Sequence, residues 1–170
     1  MIDEHSIEYN DYGEDAIQVG NKVYIIRIWS MKNYIGYMYT VQNSVGQRVC
    51  LKTWIFNENC AHDTCYWNIC LNVNKKSKQY DDTKITGRTG LENLLIAKEM
   101  IQYHIDNYLY NKRKYNNVIC VWGADSRRYH AYKLGLSRYG FVEGRLTFKR
   151  GVRESACMYK IIEKEEKNSL

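Results

Sequence analysis

The chain has 170 residues, 45% apolar and 26% charged, and carries a net charge of +6. That apolar share excludes a disordered body, and no apolar run approaches the roughly 18 residues of a membrane-spanning helix. The length suits one domain able to bury a core of its own.

The first residues, Met1-Ile2-Asp3-Glu4-His5, lack the basic and apolar pattern of a secretory leader. A cytoplasmic protein is the expectation, and its six cysteines are then expected as reduced thiols rather than a disulfide framework. Sixteen tyrosines and no proline, with many Lys, Asn and Ile, point to an AT-rich genome such as that of a phage or a low-GC bacterium. Charge is unevenly spread. Residues 1–20 carry Asp3, Glu4, Glu8, Asp11, Glu14 and Asp15 and no Lys or Arg, whereas residues 112–153 carry eleven Lys/Arg against Asp125 and Glu143. A basic half attracts polyanions, whether nucleic acid or a phosphorylated cofactor, although a solvated basic face explains it equally.

In chain order, residues 1–20 read as an acidic arm or a weak edge strand. Residues 23–29, 34–41 and 48–56 are rich in β-branched and aromatic side chains and read as strands, the last two joined by the polar loop 42–47. Residues 65–73 form a fourth strand, with Cys65, Trp67, Ile69, Leu71 and Val73 on one face and Tyr66, Asn68, Cys70 and Asn72 on the other. A charged linker, 75–82, leads to a loop with glycines at 87 and 90. From Gly90 to Tyr110 the period becomes helical, with Leu91, Leu94, Leu95, Ile101, Ile105 and Tyr108 on one stripe and Ala97 between them. Thr89 and Glu92 have the spacing of a capping box, so the helix begins inside the glycine loop. Its free N–H groups and dipole make an anion site there.

The unbroken apolar run 118–122 reads as a strand buried on both faces. Asp125 or Ser126 caps a second helix, in which Tyr129, Tyr132, Leu136 and Tyr139 share a face. Gly140 ends it, with Phe141 packing back. Strands at 145–149 and 156–162 follow, joined around Gly151, and residues 163–170 form a charged tail. The expectation is an α/β domain over residues 21–162 with a mixed, mostly antiparallel sheet, two main helices and a C-terminal hairpin.

This order resembles the C-terminal two-thirds of the GNAT (Gcn5-related N-acetyltransferase) fold. There a central strand leads into a phosphate-cradling loop and helix, then a parallel strand, a second helix ending in Gly-Phe, and a closing hairpin. The residues that carry the resemblance are Thr86-Gly87-Arg88-Thr89-Gly90-Leu91 with Leu94-Leu95-Ile96-Ala97-Lys98, and Leu136-Ser137-Arg138-Tyr139-Gly140-Phe141. The resemblance implies transfer of an acyl group from acetyl-CoA to an amine. It implies that Gly87, Arg88, Thr89, Gly90 and Leu91 hold the pyrophosphate, that backbone groups of Leu71, Asn72 and Val73 bond the pantetheine arm, and that Arg127 and Arg128 lie near a phosphate. In the family a tyrosine four residues before the Gly-Phe glycine protonates the leaving thiolate. Leu136 stands there in this chain, and Tyr132, one turn earlier, is the candidate acid.

The acceptor and the oligomeric state are left open by the sequence. Two other functions remain beside acyl transfer. One is a GNAT-like scaffold without catalysis that binds or inhibits a partner, for instance a phage protein directed at a host complex. The other is nucleic-acid binding through the basic region, with Tyr110, Tyr115, Tyr129 or Tyr139 as stacking partners. Cys60, His62, Cys65 and Cys70 have a superficial zinc-site look, but the spacing lacks paired knuckles. A strand over 65–73 would also turn Cys65 and Cys70 to opposite faces. Glu58, His62 and Asp63 flank the central strand without lying on it, and Cys70 is a weak nucleophile candidate.

Overall fold

The structure, a computed structural model, describes residues 6–56, 63–74, 90–109, 111–122, 126–147 and 154–165. Eight strands and two helices follow one another as β1 (Tyr9–Val19), β2 (Lys22–Met31), β3 (Gly36–Gln42), β4 (Arg48–Ile55), β5 (Thr64–Asn74), α1 (Gly90–Asn107), β6 (Asn116–Val121), α2 (Ser126–Leu136), β7 (Val142–Thr147) and β8 (Glu154–Ile162). The strands hydrogen-bond in the order β1-β2-β3-β4-β5-β6-β8-β7. The β5–β6 ladder is parallel, whereas β1–β2, β2–β3, β3–β4, β6–β8 and β7–β8 are antiparallel. The expected α/β class with a mostly antiparallel sheet and two helices is therefore observed. The chain divides into two compact units, Met1–Ile55 with Cys70–Tyr108, and Phe56–Ile69 with Leu109–Leu170.

The first unit is a four-stranded meander, the end of β5, and α1. Its register sets Ile28 opposite Tyr39 and Tyr39 opposite Leu51, and likewise Ile26, Val41 and Val49 in a row. These six side chains share one face because strand side chains alternate, and all are almost fully buried. β4 is buried on both faces, from Val49 through Trp54. Gly36, opposite Trp54, is held where an added Cβ would lie 2.6 Å from both the Met31 sulfur and the Thr53 carbonyl oxygen.

The acidic start of the chain forms the edge strand β1, paired with β2 along its length except at a bulge between Asp11 and Gly13. Gly13 takes a φ of +119° there, and its N–H donates to Asp11 Oδ1 at 3.0 Å. A left-handed backbone at that point favours glycine.

α1 is rotated from the expected stripe. Its buried residues are Asn93, Ile96, Ala97, Met100, Ile101, His104 and Ile105, while Leu91 is 72% exposed. The expected set shares Ala97, Ile101 and Ile105 with the buried face but left out the apolar Ile96 and Met100 as well as the polar Asn93 and His104. Asn93 and His104 are fully buried and find polar partners on the sheet, which removes the desolvation cost that would otherwise expel them.

The second unit holds the start of β5, β6, α2 and the closing hairpin. The alternation read from residues 65–73 is observed along β5 in both units, with Cys65, Trp67, Ile69, Leu71 and Val73 all buried. In the second unit, the Trp67 indole N–H donates to Asn117 Oδ1 at 2.8 Å, fixing neighbouring strands side by side. Trp122, next to the apolar run of β6, has its ring edge-on to Phe56. α2 passes into a 3₁₀ turn, Ser137–Tyr139, and stops at Gly140 with a φ of 85°. Phe141 then turns inward and is buried, as a glycine C-terminal cap permits. β7 starts at Val142, three residues earlier than the sequence pattern placed it, and Gly151 lies outside the described residues. The first tail residues are tied down rather than loose. Glu165 N–H donates to the Lys112 carbonyl at 2.9 Å, and the Lys164 ammonium lies 2.8 Å from Asp63.

Candidate functional site

The residues singled out in the sequence fall into two groups. Leu71, Asn72, Val73, Gly90 and Leu91 belong to the first unit, and Arg127, Arg128 and Tyr132 to the second. Gly87, Arg88 and Thr89 lie outside the described residues. Gly90 is the first residue of α1, and the side chain that follows it, Leu91, is exposed. On β5, Leu71 and Val73 are buried and Asn72 is half-buried between them.

Glu92 sits in the first turn of α1, where negative charge complements the helix dipole. Its carboxylate accepts the Ser44 amide and the Ser44 hydroxyl, each at 2.6 Å, and more distantly the Tyr24 hydroxyl at 3.5 Å. Burial works to raise its pKa. The Ser44 bonds, together with Lys22 and Tyr24, outweigh that and hold the carboxyl below its ordinary value. The acid expected to close a capping box with Thr89 is thus engaged by the loop between β3 and β4; the Thr89 half lies outside the described residues.

That loop is organised by Asn43. Its Oδ1 accepts the amides of Val45 and Gln47 at 3.2 and 2.9 Å, and its amide donates to Gln47 Oε1 at 3.0 Å and to Asn93 Oδ1 at 2.8 Å. The start of α1 is therefore fastened to the sheet by two adjacent polar links, Glu92–Ser44 and Asn93–Asn43. The sequence pattern of an amphipathic helix gives no signal for either.

Further along α1 lies a cluster of phenols. Tyr39 and His104 are fully buried, with the Tyr39 oxygen 2.6 Å from His104 Nδ1. Around them stand Tyr37, Tyr103, Tyr108 and Tyr12, with ring centroids 4.9 Å apart for Tyr37–Tyr108 and 5.6 Å for Tyr12–Tyr108. Burial, then the neighbouring phenols, pushes the Tyr39 hydroxyl far above its ordinary value. Tyr103 is raised too, by burial and by its 3.0 Å bond to the Asp15 carboxylate. Tyr37 follows through burial and the proximity of Tyr12 and Tyr108. These phenols keep their protons at any physiological pH, so the cluster is a packed, proton-donating core. A strand i, i+2 pair (Tyr37, Tyr39) facing a helical Tyr103-His104…Tyr108 is the sequence signal that was available for it.

In the second unit Tyr132 and Leu136 form the buried face of α2, as expected, with Tyr129 and Tyr139 half-buried beside them. Arg127 and Arg128 lie in the first turn of α2, which contains no acidic residue. On its outer side Tyr129 donates to Glu143 at 2.8 Å, and the Lys133 ammonium reaches the same oxygen at 3.1 Å. Burial, with Glu143, pushes the Tyr129 phenol up to about 12, while the Tyr129 and Lys133 bonds lower Glu143. Arg113 pairs with Glu165 at 3.6 Å. Some of the basic charge of residues 112–153 is thus met by local acids.

Cysteine chemistry differs from expectation at one point. Cys65 is disulfide-bonded, while Cys50, Cys70, Cys120 and Cys157 carry no disulfide. With six cysteines in the chain, the partner of Cys65 lies outside the described residues. Sequence alone favoured six thiols because it argued from compartment; a pairing is decided by which sulfurs the fold brings together. Cys60 and His62 of the considered zinc cluster are also outside the described residues, and Cys65 and Cys70 occupy opposite faces of β5. Among the described residues no helix is long and apolar enough to cross a membrane. No protein-family model, curated protein or solved structure matches the chain.

Proposed function

We propose that the chain is a GNAT-like, acyl-CoA-dependent N-acyltransferase, with acetyl-CoA as donor and an amine as acceptor. The observation that carries the reading is the crossover from β5 through α1 to a parallel β6 in a sheet that is otherwise mostly antiparallel, followed by α2, its Gly140-Phe141 end and an antiparallel hairpin. That succession of elements supports the reading. A second feature supports it. The last rung between β5 and β6 is Ile69↔Val121, yet β5 runs on to Asn74, so Leu71, Asn72 and Val73 lie past the end of that ladder.

The chain's own residues fit an anionic donor at the start of α1. Leu91 is exposed, and the nearby Glu92 carboxylate is turned to two donors on Ser44 of the β3–β4 loop and to Tyr24 of β2, which offsets its repulsion of a phosphate. In this reading the N–H groups of Arg88, Thr89, Gly90 and Leu91 receive the pyrophosphate. In the first unit the backbone of Leu71–Val73 aligns the arm. The amine, relieved of its proton through water, attacks the thioester carbonyl; the resemblance gives Tyr132 of the second unit as the acid for the departing sulfur and Arg127 and Arg128 as phosphate-binding residues.

The test is calorimetric titration of acetyl-CoA into the wild type and Gly90→Asp, whose added carboxylate would oppose the pyrophosphate. Binding by the wild type, weakened at least about tenfold in the variant (about 1.4 kcal/mol), is expected. No binding by the wild type removes the reading. Binding without turnover over a broad amine panel favours the non-catalytic scaffold, the reading that the burial of Tyr132 to 2% exposure also suits.

A further inference from the structure

The acyltransferase reading uses neither Cys120 nor Cys157, which lie on the neighbouring strands β6 and β8 of the second unit. In the β6–β8 ladder Cys120 stands opposite Tyr159. Cys157 precedes Tyr159 by two residues, so its side chain leaves the sheet on the same face as Cys120, one diagonal step away. The Cys120 thiol donates to the Val118 carbonyl at 3.9 Å, and both cysteines are fully buried. We propose that Cys120 and Cys157 are a dithiol oxidation site, which a hydroperoxide converts into a β6–β8 cross-strand disulfide with Cys157 as the attacking sulfur and Cys120 as the resolving one.

The roles follow from the asymmetry of the contact. Cys120 gives its S–H to the Val118 carbonyl and so keeps its proton, with its thiol neighbour and burial raising it, whereas the nearby Cys120 thiol holds Cys157 below its ordinary value. The thiolate is the nucleophile in such chemistry. Cys157 sulfur attacks the peroxide and breaks its O–O bond, giving a sulfenic acid and an alcohol, or water from hydrogen peroxide. Cys120 sulfur then attacks the sulfenic sulfur, forming the S–S bond and expelling hydroxide, which takes up the Cys120 proton and leaves as water. Two thiols lose two electrons and the peroxide gains them.

Two physical conditions shape the reaction. Diagonal neighbours on a sheet are spaced wider than a relaxed disulfide allows, and the excess lies along the strands, so closure requires β8 to slip along β6 while the ladder is locally open. The thiols are also shielded, so the oxidant reaches them through local opening. The β7–β8 hairpin lies at the end of the strand order, where β7 has β8 as its neighbour, and edge elements open at lower free energy than central ones.

The test uses the whole wild-type chain, so it does not depend on a variant folding. The protein is treated with hydrogen peroxide, blocked with iodoacetamide under denaturing conditions, and digested without reduction for mass spectrometry. The expected product is a peptide pair joining Cys120 to Cys157 with loss of two hydrogens, abolished by reductant. In the untreated native protein both should be alkylated at least about tenfold more slowly than the partly exposed Cys70. Recovery of Cys120 and Cys157 as two alkylated thiols after peroxide, or as separate sulfinic acids with no joined peptide, overturns the proposal. Dimedone fixes the order of events. An adduct on Cys157 in Cys120→Ser supports it, whereas an adduct on Cys120 in Cys157→Ser with none on Cys157 in Cys120→Ser overturns the assigned roles.

Discussion

Replacing Asn43 with alanine should loosen the start of α1 from the sheet. Asn43 is 5% exposed, and the change deletes four side-chain hydrogen bonds, to the Val45 and Gln47 amides, Gln47 Oε1 and Asn93 Oδ1. The backbone bonds Asn43 N to Gln47 O and Gly46 N to Asn43 O remain. A net value of about 1 kcal/mol per bond would give about 4 kcal/mol. Val45 and Gln47 lie near the loop tip, where water replaces part of the loss, so about 2–3 kcal/mol is expected. For a chain of this size that is a fall in Tm of roughly 5–10 °C. Urea unfolding followed by far-ultraviolet circular dichroism measures it. Asn43→Asp keeps the acceptor and loses the donor, and should fall between wild type and alanine. A double-mutant cycle with Asn93→Ala should show a coupling of about 1 kcal/mol. A cost for Asn43→Ala below about 0.5 kcal/mol, or no coupling to Asn93, would refute the claim that this pair fastens helix to hairpin.

Glu92→Gln should lower stability at pH 7 by about 1 kcal/mol, since one amide cannot accept both Ser44 donors. Because the folded carboxyl is depressed, its contribution is present above the unfolded pKa near 4.3 and is lost as pH falls through the lower folded value. The gap between wild type and variant should therefore shrink as pH falls below the unfolded value near 4.3 in urea titrations; a gap constant with pH would sink this account. Tyr39→Phe keeps the ring but deletes the 2.6 Å bond to buried His104, and should cost about 1–3 kcal/mol in the same assay. Gly36→Ala forces a methyl against the Met31 sulfur and the Thr53 carbonyl. About 2 kcal/mol of destabilisation is expected, and a neutral result would show that β3 shifts more easily than its burial suggests.

Much of the fold was legible because its signals are local. The period-two run through Trp67 and Ile69 identified β5 and its buried face. The change of period after Gly90 identified α1, and the Gly140-Phe141 step marked the end of α2. Where local signals were weak the reading was weak as well. The acidic residues of β1 carry little strand propensity, and pairing with β2 at Gly13–Val19 is what orders them. The site was less legible than the fold. Gly90 was placed at the helix start, but the partners of Glu92 lie 48 residues away, on a loop with no motif of its own.

By itself the sequence determined the strands from β2 to β6, both helices and the α/β class, since side-chain periodicity and glycine stops act within a few residues. Tertiary structure alone decided the rotation of α1, the Tyr39–His104 pair 65 residues apart, the disulfide at Cys65 and the meeting of Cys120 with Cys157. The rotation of α1 and the Tyr39–His104 pair each depend on a polar group finding one particular partner far along the chain. That partner is supplied by strand register, and no spacing along the chain encodes it.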